Sequence, residues 1–296
     1  MADTLDITWT DYRGKVWDLT KGTQGVILAK GQKGLSWGDI THAWRRGDQQ
    51  HASARVGRIT HTMAVEVGWG RQGQDHYGVR SEWWSEANSP YHTGRLRVTR
   101  PDGVTRYRDL RLAESPDLEY TWDPGLGLEN GVEPWPLTGN DGWWLGDEQV
   151  RRYDLTTMGG STGTPFYGPD GAGWPLYIGQ AATARDAWVA NRGQGPTWVT
   201  WTLVGPMSNV TVGVQGGTNI AYTGDIISGE VVEISTDPTN RYAVETGSGD
   251  SRYQWVSGSP SPVPTGDRVG LVISAEGMTE ASSITATVTE LYALPF

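Results

Sequence analysis

Short stretches of alternating apolar and polar residues run along the whole chain, and glycine or proline separates them. Residues 58–67 (RITHTMAVEV) place Ile59, His61 and Met63 on one face, as expected of a half-buried strand. Residues 94–99 and 104–112 flank Pro101-Asp102-Gly103, which is typical of a tight turn between paired strands. The pattern predicts an all-β protein.

A single helix is predicted, over residues 75–87. Asp75 would cap its start, and Asn88-Ser89-Pro90 would end it. Residues 45–54 are polar and predict an exposed loop. Residues 115–150 are rich in tryptophan and proline and predict a loop-rich outer segment.

A change in composition near residue 155 predicts two domains, 1–154 and 155–296. Residues 158–173 are rich in Gly, Ser, Thr and Pro, which is typical of an interdomain connection. From residue 197 onward, short β segments alternate with turn signals at a regular spacing. That spacing predicts an antiparallel sandwich or jelly roll in the second domain.

Composition and charge exclude several classes of protein. The 296-residue chain has no cysteine, so disulfides, zinc–thiolate sites and cysteine nucleophiles are ruled out. No apolar run is long enough to span a membrane, and we expect no signal peptide. The net charge is −10, and residues 201–296 contribute −7, from 3 Arg and no Lys against 10 Asp and Glu. Without a basic stripe, sequence-specific nucleic-acid binding is not expected.

No motif in the chain predicts an active site, a cofactor or a metal ion. Residues 68–73 match the GxGxxG pattern, but the preceding strand alternates and no further βαβ unit follows, so a dinucleotide site is rejected. The five histidines are 9, 10, 15 and 16 residues apart, which gives no local metal signature. A metal site assembled by the fold stays open, although structural histidines are favoured.

Neither of two close carboxylate pairs predicts acid–base catalysis. Glu82 and Glu86 are expected on a solvated helix face, and Glu230 and Glu233 on opposite faces of one strand.

Two stretches of the chain resemble a known family. The first, residues 84–144, contains Glu86-Ala87-Asn88-Ser89-Pro90, Gly94-Arg95-Leu96-Arg97-Val98 and Arg100-Pro101-Asp102-Gly103. The second contains Asn191-Arg192-Gly193, Pro196-Thr197-Trp198-Val199-Thr200-Trp201, Gly205-Pro206-Met207-Ser208-Asn209 and the run from Gly229 to Pro238. Together they resemble the distal tail proteins (Dit-like minor tail proteins) of long-tailed phages, or siphophages, that infect actinobacteria.

The resemblance implies an architecture and a structural role in the virion. Domain 1–154 would have a tail-tube-like β-barrel or sheet fold with one helix, and domain 155–296 would be a galectin-like, carbohydrate-module-like β-sandwich. Copies would form a ring, expected to be hexameric, that joins the tail tube protein to a tail-tip hub protein at the baseplate. The protein would be assembled in the host cytoplasm and would not be an enzyme. The acidic balance suits a ring that conducts DNA.

Tryptophan is the strongest compositional anomaly, with 16 copies against 2 phenylalanines. An aromatic-rich core explains most of them, but aromatic side chains also anchor interfaces. Trp83, Trp84, Trp143 and Trp144 are the candidate subunit-interface anchors, with core packing favoured for any single one. The alternatives are a carbohydrate-binding adhesion protein, with Arg241 and Trp255 contacting host cell-wall glycan, and a cell-wall glycoside hydrolase.

Overall fold

The computed structural model describes residues 4–45, 51–118, 122–126, 131–158, 181–184 and 186–296. Strands dominate them, and one helical segment of 15 residues interrupts the strands. The predicted all-β fold with one helix is therefore confirmed. Among the described residues, no helix combines the length and apolar character needed to cross a membrane.

The chain divides into two compact units. Unit 1 comprises Met1–Asp147 and Tyr292–Phe296, and unit 2 comprises Glu148–Leu291. The predicted boundary at 154/155 lies a few residues beyond this division, and most of the predicted connection at 158–173 lies outside the described residues. That the units are the ring-forming and sandwich domains stays a prediction.

The described residues of unit 1 form ten strands and the helical segment, and the last strand continues into unit 2. The strands are β1 (Asp6–Thr10), β2 (Val16–Asp18), β3 (Val26–Leu28), β4 (Ile40–Trp44), β5 (His51–Val56), β6 (Ile59–Val67), β7 (Gly94–Thr99), β8 (Thr105–Leu112), β9 (Val132–Gly139) and β10 (Trp144–Asp154). Helix α1 (Gly73–Glu82) continues as a π-helical turn over Trp83–Ala87, and a short 3-10 turn spans Pro124–Leu126.

The main sheet of unit 1 is antiparallel and is built around the hairpin that the sequence predicts. β7 and β8 pair from Gly94↔Leu110 to Thr99↔Thr105. Gly103 closes the turn at a φ of 88°, a conformation that glycine adopts without steric cost. β7 also pairs with β1, which pairs with β2, while β8 pairs with β10 and β9, β9 with β6, and β6 with β3.

The helix lies close to its predicted position but starts differently. It begins at Gly73, after an extended Gln72, and no side chain caps it. Asp75 lies in the first turn, where its negative charge faces the positive end of the helix dipole, instead of at the cap. The segment ends at Ala87, and Asn88 is extended as the Asn-Ser-Pro sequence predicts.

The Trp- and Pro-rich segment contains more regular structure than the sequence indicates. Part of it is β9, which pairs along its whole length with β6. Its two prolines, Pro134 and Pro136, are two residues apart, so their nitrogens point to the same edge of the strand. On that edge Ala113 donates to the carbonyl of Pro136, and β8 pairs only with Leu137 and Thr138. The edge therefore requires no N–H from either proline.

Tryptophan dominates the core of unit 1. Buried side chains of one cluster include Trp9, Trp17, Trp83, Trp135 and Trp144. Trp83 meets Trp17 and Trp135 edge-on, with ring centroids 5.2 and 5.9 Å apart, which is a favoured geometry for aromatic pairs. Tryptophan, instead of the scarce phenylalanine, therefore supplies the large aromatic side chains of this core.

The GxGxxG segment is a loop that packs against its own unit. Gly68 and Trp69 both donate backbone N–H groups to the carbonyl of Gly25, and a Cβ on Gly68 would lie 2.0 Å from His76 Nδ1. β6, which leads into the loop, pairs antiparallel with β3 and β9. This topology differs from that of a dinucleotide-binding βαβ unit, in which parallel strands flank the helix.

Unit 2 is formed by two antiparallel sheets. Its strands are β11 (Ala181–Thr183), β12 (Trp188–Asn191), β13 (Val199–Val204), β14 (Ser208–Val214), β15 (Asn219–Tyr222), β16 (Val231–Ser235), β17 (Tyr242–Glu245), β18 (Val256–Gly258), β19 (Gly266–Glu276) and β20 (Ser283–Tyr292), with a 3-10 turn at Tyr253–Trp255. One sheet has the order β17-β16-β13-β20-β10, and the other has the order β11-β19-β14-β15-β18, with β12 also on β19.

The core of unit 2 lies between these sheets. Alternate residues of β13 and β20, such as Trp201 and Ala286, face the same buried cluster as alternate residues of β14 and β19, such as Val212 and Ile273. A period of two along each strand is the pattern expected of a sandwich with one buried face per sheet. The regular spacing seen in the sequence therefore corresponds to real strands.

Candidate subunit interface

A two-stranded hairpin, β4–β5, forms a sheet of its own in unit 1. Within the part of the chain that the structure describes, the strands pair only with each other, from Ile40↔Val56 to Trp44↔His51. Every residue of β4 is exposed, including Ile40 at 46% and Trp44 at 61%. An isolated hairpin is marginally stable in water, and unpaired strand edges attract further strands. A partner strand would therefore stabilise the hairpin.

The base of this hairpin is held by close backbone contacts. Gly38 donates to the carbonyl of Gly142 at 2.8 Å, and Gly57 donates to the carbonyl of Asp39 at 2.7 Å. A Cβ on Gly38 would lie 2.4 Å from the carbonyl oxygen of Arg58, and a Cβ on Gly142 would lie 2.2 Å from that of Gly57. These glycines permit backbone approaches that any side chain would block.

Arg108 of β8 binds the backbone of residues 34–36, which precede the hairpin. Its buried guanidinium donates to the carbonyls of Gly34 at 2.8 Å and Ser36 at 2.6 Å, and to those of Gly142 and Trp143 at 3.2 Å each. It also lies over the Trp144 ring, 4.4 Å from the centroid. Burial lowers the pKa of Arg108 to about 10, so the group stays charged at neutral pH.

Aromatic side chains extend the exposed apolar surface at the base of the hairpin. Trp37 is 44% exposed and packs against half-buried Trp143, with ring centroids 5.3 Å apart. We define the hairpin surface as β4 and β5 together with Trp37 and Trp143. It combines unpaired strand edges with exposed indole rings, which are the features expected of a protein-binding surface.

The four candidate tryptophan anchors differ in how far they are buried. Trp83 and Trp144 are 0% exposed, so core packing, the favoured alternative, accounts for both. Trp84 is half-buried, meets Trp135 edge-on with ring centroids 4.6 Å apart and donates its N–H to Glu133. Trp143 alone of the four belongs to the hairpin surface. That any of the four anchors a subunit interface stays a prediction.

The helix is attached to the sheet by a buried carboxylate that sequence reasoning missed. Glu133, on β9, is 1% exposed and accepts Arg80 of α1 at 2.7 Å. Its second oxygen accepts the indole N–H groups of Trp84 and Trp135 at 3.2 Å each. A buried carboxylate requires such partners because burial without them is costly. The alternation of β9 could have indicated burial, but it does not identify the partners.

The carboxylate pairs considered for catalysis are bound in ion pairs or hydrogen bonds. Glu82 pairs with Lys15 and Glu86 with Arg13, so the predicted solvated helix face contacts the N-terminal segment. In unit 2, Glu230 pairs with Arg252, whereas Glu233 accepts the hydroxyl of Tyr242. Burial, followed by the hydrogen bond to Glu233, raises the pKa of Tyr242 to about 12.

The two candidate glycan contacts lie in different local settings. Trp255 is half-buried against the core of unit 2 and meets Tyr222 edge-on at 6.3 Å. The guanidinium over its ring, 5.1 Å from the centroid, is that of Arg252. Arg241 is exposed just before β17. Glycan binding by Arg241 and Trp255 stays a prediction.

Comparisons with known proteins define the fold. Nearly the whole chain, 97%, superposes on 99% of the Dit protein (gp19.1) of phage SPP1, a hub of the adsorption apparatus of phages that infect Gram-positive hosts, with a TM-score of 0.55 and 11% identity. The same share superposes on 98% of a chain from the baseplate of phage P2, activated with Ca, with a TM-score of 0.52 and 13% identity. The fold is that of phage Dit proteins.

Sequence similarity is more local. The chain is 28% identical over 159 residues, or 51% of its length, to the minor tail protein Gp27 of Mycobacterium phage L5. This match covers 46% of that protein, so the chain spans about half the length of the curated relative. No family model matches the chain. The resemblance to Dit-like minor tail proteins that the sequence indicates is confirmed by both comparisons.

Proposed function

We propose that this chain is a non-enzymatic structural protein of a phage tail tip that associates with copies of itself into a ring. The observation that carries the proposal is the match of almost the entire chain to Dit proteins, covering both units. The minor tail protein of a mycobacterial phage supports the same role and a location in the virion.

The hairpin surface is the proposed contact between copies. It leaves strand edges unpaired and exposes Trp37, Ile40 and Trp44 in one surface, whereas the other exposed tryptophans of unit 1, Trp69 and Trp122, lie outside strands. Covering these side chains in a neighbouring copy would remove apolar area from water and satisfy the edge N–H and C=O groups. The proposed ring has six copies and joins the tail tube protein to a tail-tip hub protein.

Self-association is testable by mass. A ring of six 32.3 kDa copies has a mass of about 194 kDa. We expect native mass spectrometry of the purified chain, alone or with its tail-tip hub protein, to show this species. A chain that stays at 32.3 kDa under both conditions would refute the ring.

A variant tests whether the hairpin surface makes the contact. The double substitution Ile40→Asp and Trp44→Asp places two charges on the exposed face of β4, so we expect only monomers. Tyr91→Asp is the matched control, because Tyr91 is 84% exposed in a loop outside the hairpin. If the double variant assembles like the control, the contact lies elsewhere on the chain.

A further inference from the structure

The hairpin β4–β5 brings together two histidines that are nine residues apart in sequence. His42 Nδ1 lies 3.2 Å from His51 Nε2, and the ring centroids are 5.3 Å apart at an interplanar angle of 66°. Both side chains are exposed. Trp44 lies beside them, with its ring 6.2 Å from that of His42 and 5.5 Å from that of His51.

Strand register explains why these rings meet. His42 and Trp44 are two residues apart on β4, so their side chains share one face. His51 pairs with Trp44 across the hairpin, where the register shifts between Ala43 and Trp44, and its side chain joins the same face. The pairing of the two strands therefore determines that the rings of His42 and His51 lie side by side.

We propose that His42 and His51 form a binding site for a divalent transition-metal ion of the zinc class. Two imidazole nitrogens bound to one tetrahedral Zn²⁺, at about 2.0–2.1 Å each, are separated by about 3.4 Å. The distance between the two ring nitrogens is already close to this value. In the metal-free hairpin the two nitrogens share a hydrogen bond, and a bound ion would replace its proton once the rings turn both lone pairs toward the ion.

The two imidazole ligands determine which class of metal ion can bind. Neutral imidazole binds zinc, copper and nickel, whereas calcium and magnesium require oxygen ligands. Among the described residues, no cluster of three or more His, Asp or Glu side chains is placed to hold a metal ion. The two histidines therefore supply two ligands, and water completes the coordination. The chain has no cysteine that would compete for the same ions.

The structure supplies a matched control. Of the three other histidines, His61 and His76 are buried. His92 is exposed and stacks on Tyr12, with ring centroids 4.7 Å apart. His92 is exposed like His42 and His51, but among the described residues no second imidazole lies within bonding distance of it. The variant His92→Gln therefore tests whether an isolated histidine binds the metal ion.

The experiment is calorimetric titration of the full-length, tag-free chain with Zn²⁺. We expect one site per chain in the wild-type protein and in H92Q. His42→Gln and His51→Gln, which keep a polar side chain of similar size, should each weaken binding at least about tenfold. Circular dichroism of each variant checks that the strand content is unchanged.

A second measurement identifies the ligands directly. Electron paramagnetic resonance of bound Cu²⁺ should show coupling to two imidazole nitrogens in the wild-type chain and to one in either hairpin variant. The proposal is overturned if H42Q and H51Q bind Zn²⁺ as tightly as the wild-type chain, or if the Cu²⁺ spectrum is the same in all four proteins. Neither measurement depends on ring formation.

Discussion

Replacing Arg108 by methionine tests whether a buried guanidinium holds the base of the hairpin. Methionine fills much of the same space but donates no hydrogen bond. Two of the four carbonyls keep another partner: the N–H of Gly38 donates to Gly142 O at 2.8 Å, and His61 Nδ1 lies 3.4 Å from Gly34 O. The carbonyls of Ser36 and Trp143 lose the donor described for them. The substitution therefore leaves two partly buried acceptors, which must find water or another donor.

The magnitude follows from these contacts. A fully buried acceptor left without a donor costs about 1–3 kcal/mol, or about 2–6 kcal/mol for two, and the partial exposure of these carbonyls to water places the cost in the lower part of that range. Removing a desolvated charge offsets part of this cost. We expect the free energy of unfolding of unit 1 to fall by about 2–4 kcal/mol.

Guanidinium chloride unfolding followed by tryptophan fluorescence measures the change. Arg97→Met is the control, because Arg97 is exposed on the neighbouring strand β7 and should change stability by less than about 0.5 kcal/mol. Arg108→Lys keeps the charge but lacks the planar fork that reaches several carbonyls, so we expect an intermediate loss.

Hydrogen exchange localises the effect. In R108M, the amides of residues 34–44 should exchange faster than in the wild-type chain, while those of β13 and β20 in unit 2 stay unchanged. If R108M is within about 1 kcal/mol of the wild-type chain, or if R108K matches it, the described hydrogen bonds do not hold the base of the hairpin.

Two further substitutions test buried ionisable groups of unit 1. Burial lowers the pKa of His61 from 6.5 to about 4. Between these two pH values the unfolded chain binds a proton at this histidine and the folded chain does not. The free energy of unfolding therefore falls by up to about 3 kcal/mol as the pH drops through this range. Chemical unfolding at a series of pH values should show a shallower fall for His61→Met, and equal slopes would contradict this assignment. Glu133→Gln removes the negative charge that faces Arg80. We expect the free energy of unfolding to fall by about 2–3 kcal/mol, and not by more, because Arg80 keeps some exposure to water. Thermal unfolding measures the loss against Glu114→Gln, an exposed control, and an equal melting temperature for the two variants would refute it.

Local patterns predicted most of the strands of this protein. The alternation in residues 58–67, the Pro-Asp-Gly turn before β8 and the regular segments after residue 197 all correspond to strands of the structure. These features depend on neighbours two to four residues apart, so they are readable in a single sequence. The rejection of a dinucleotide site depended on the same local information.

The sequence misled where burial and pairing depend on distant residues. Residues 51–56 look polar and were predicted to lie partly in a loop, yet they form β5 because β4 pairs with them. The segment 115–150 contains β9 in spite of its prolines, because the strand exposes its proline nitrogens to an edge without a full partner.

The amino-acid sequence by itself determined the fold class, the position of the helix and the absence of cysteine chemistry, because each depends on composition or on short-range periodicity. Only the tertiary structure decided which tryptophans are core, which carboxylate binds Arg80, and that His42 meets His51. Strand register joins residues that are far apart in the chain, and a shift of one residue would turn every side chain of a strand to the opposite face.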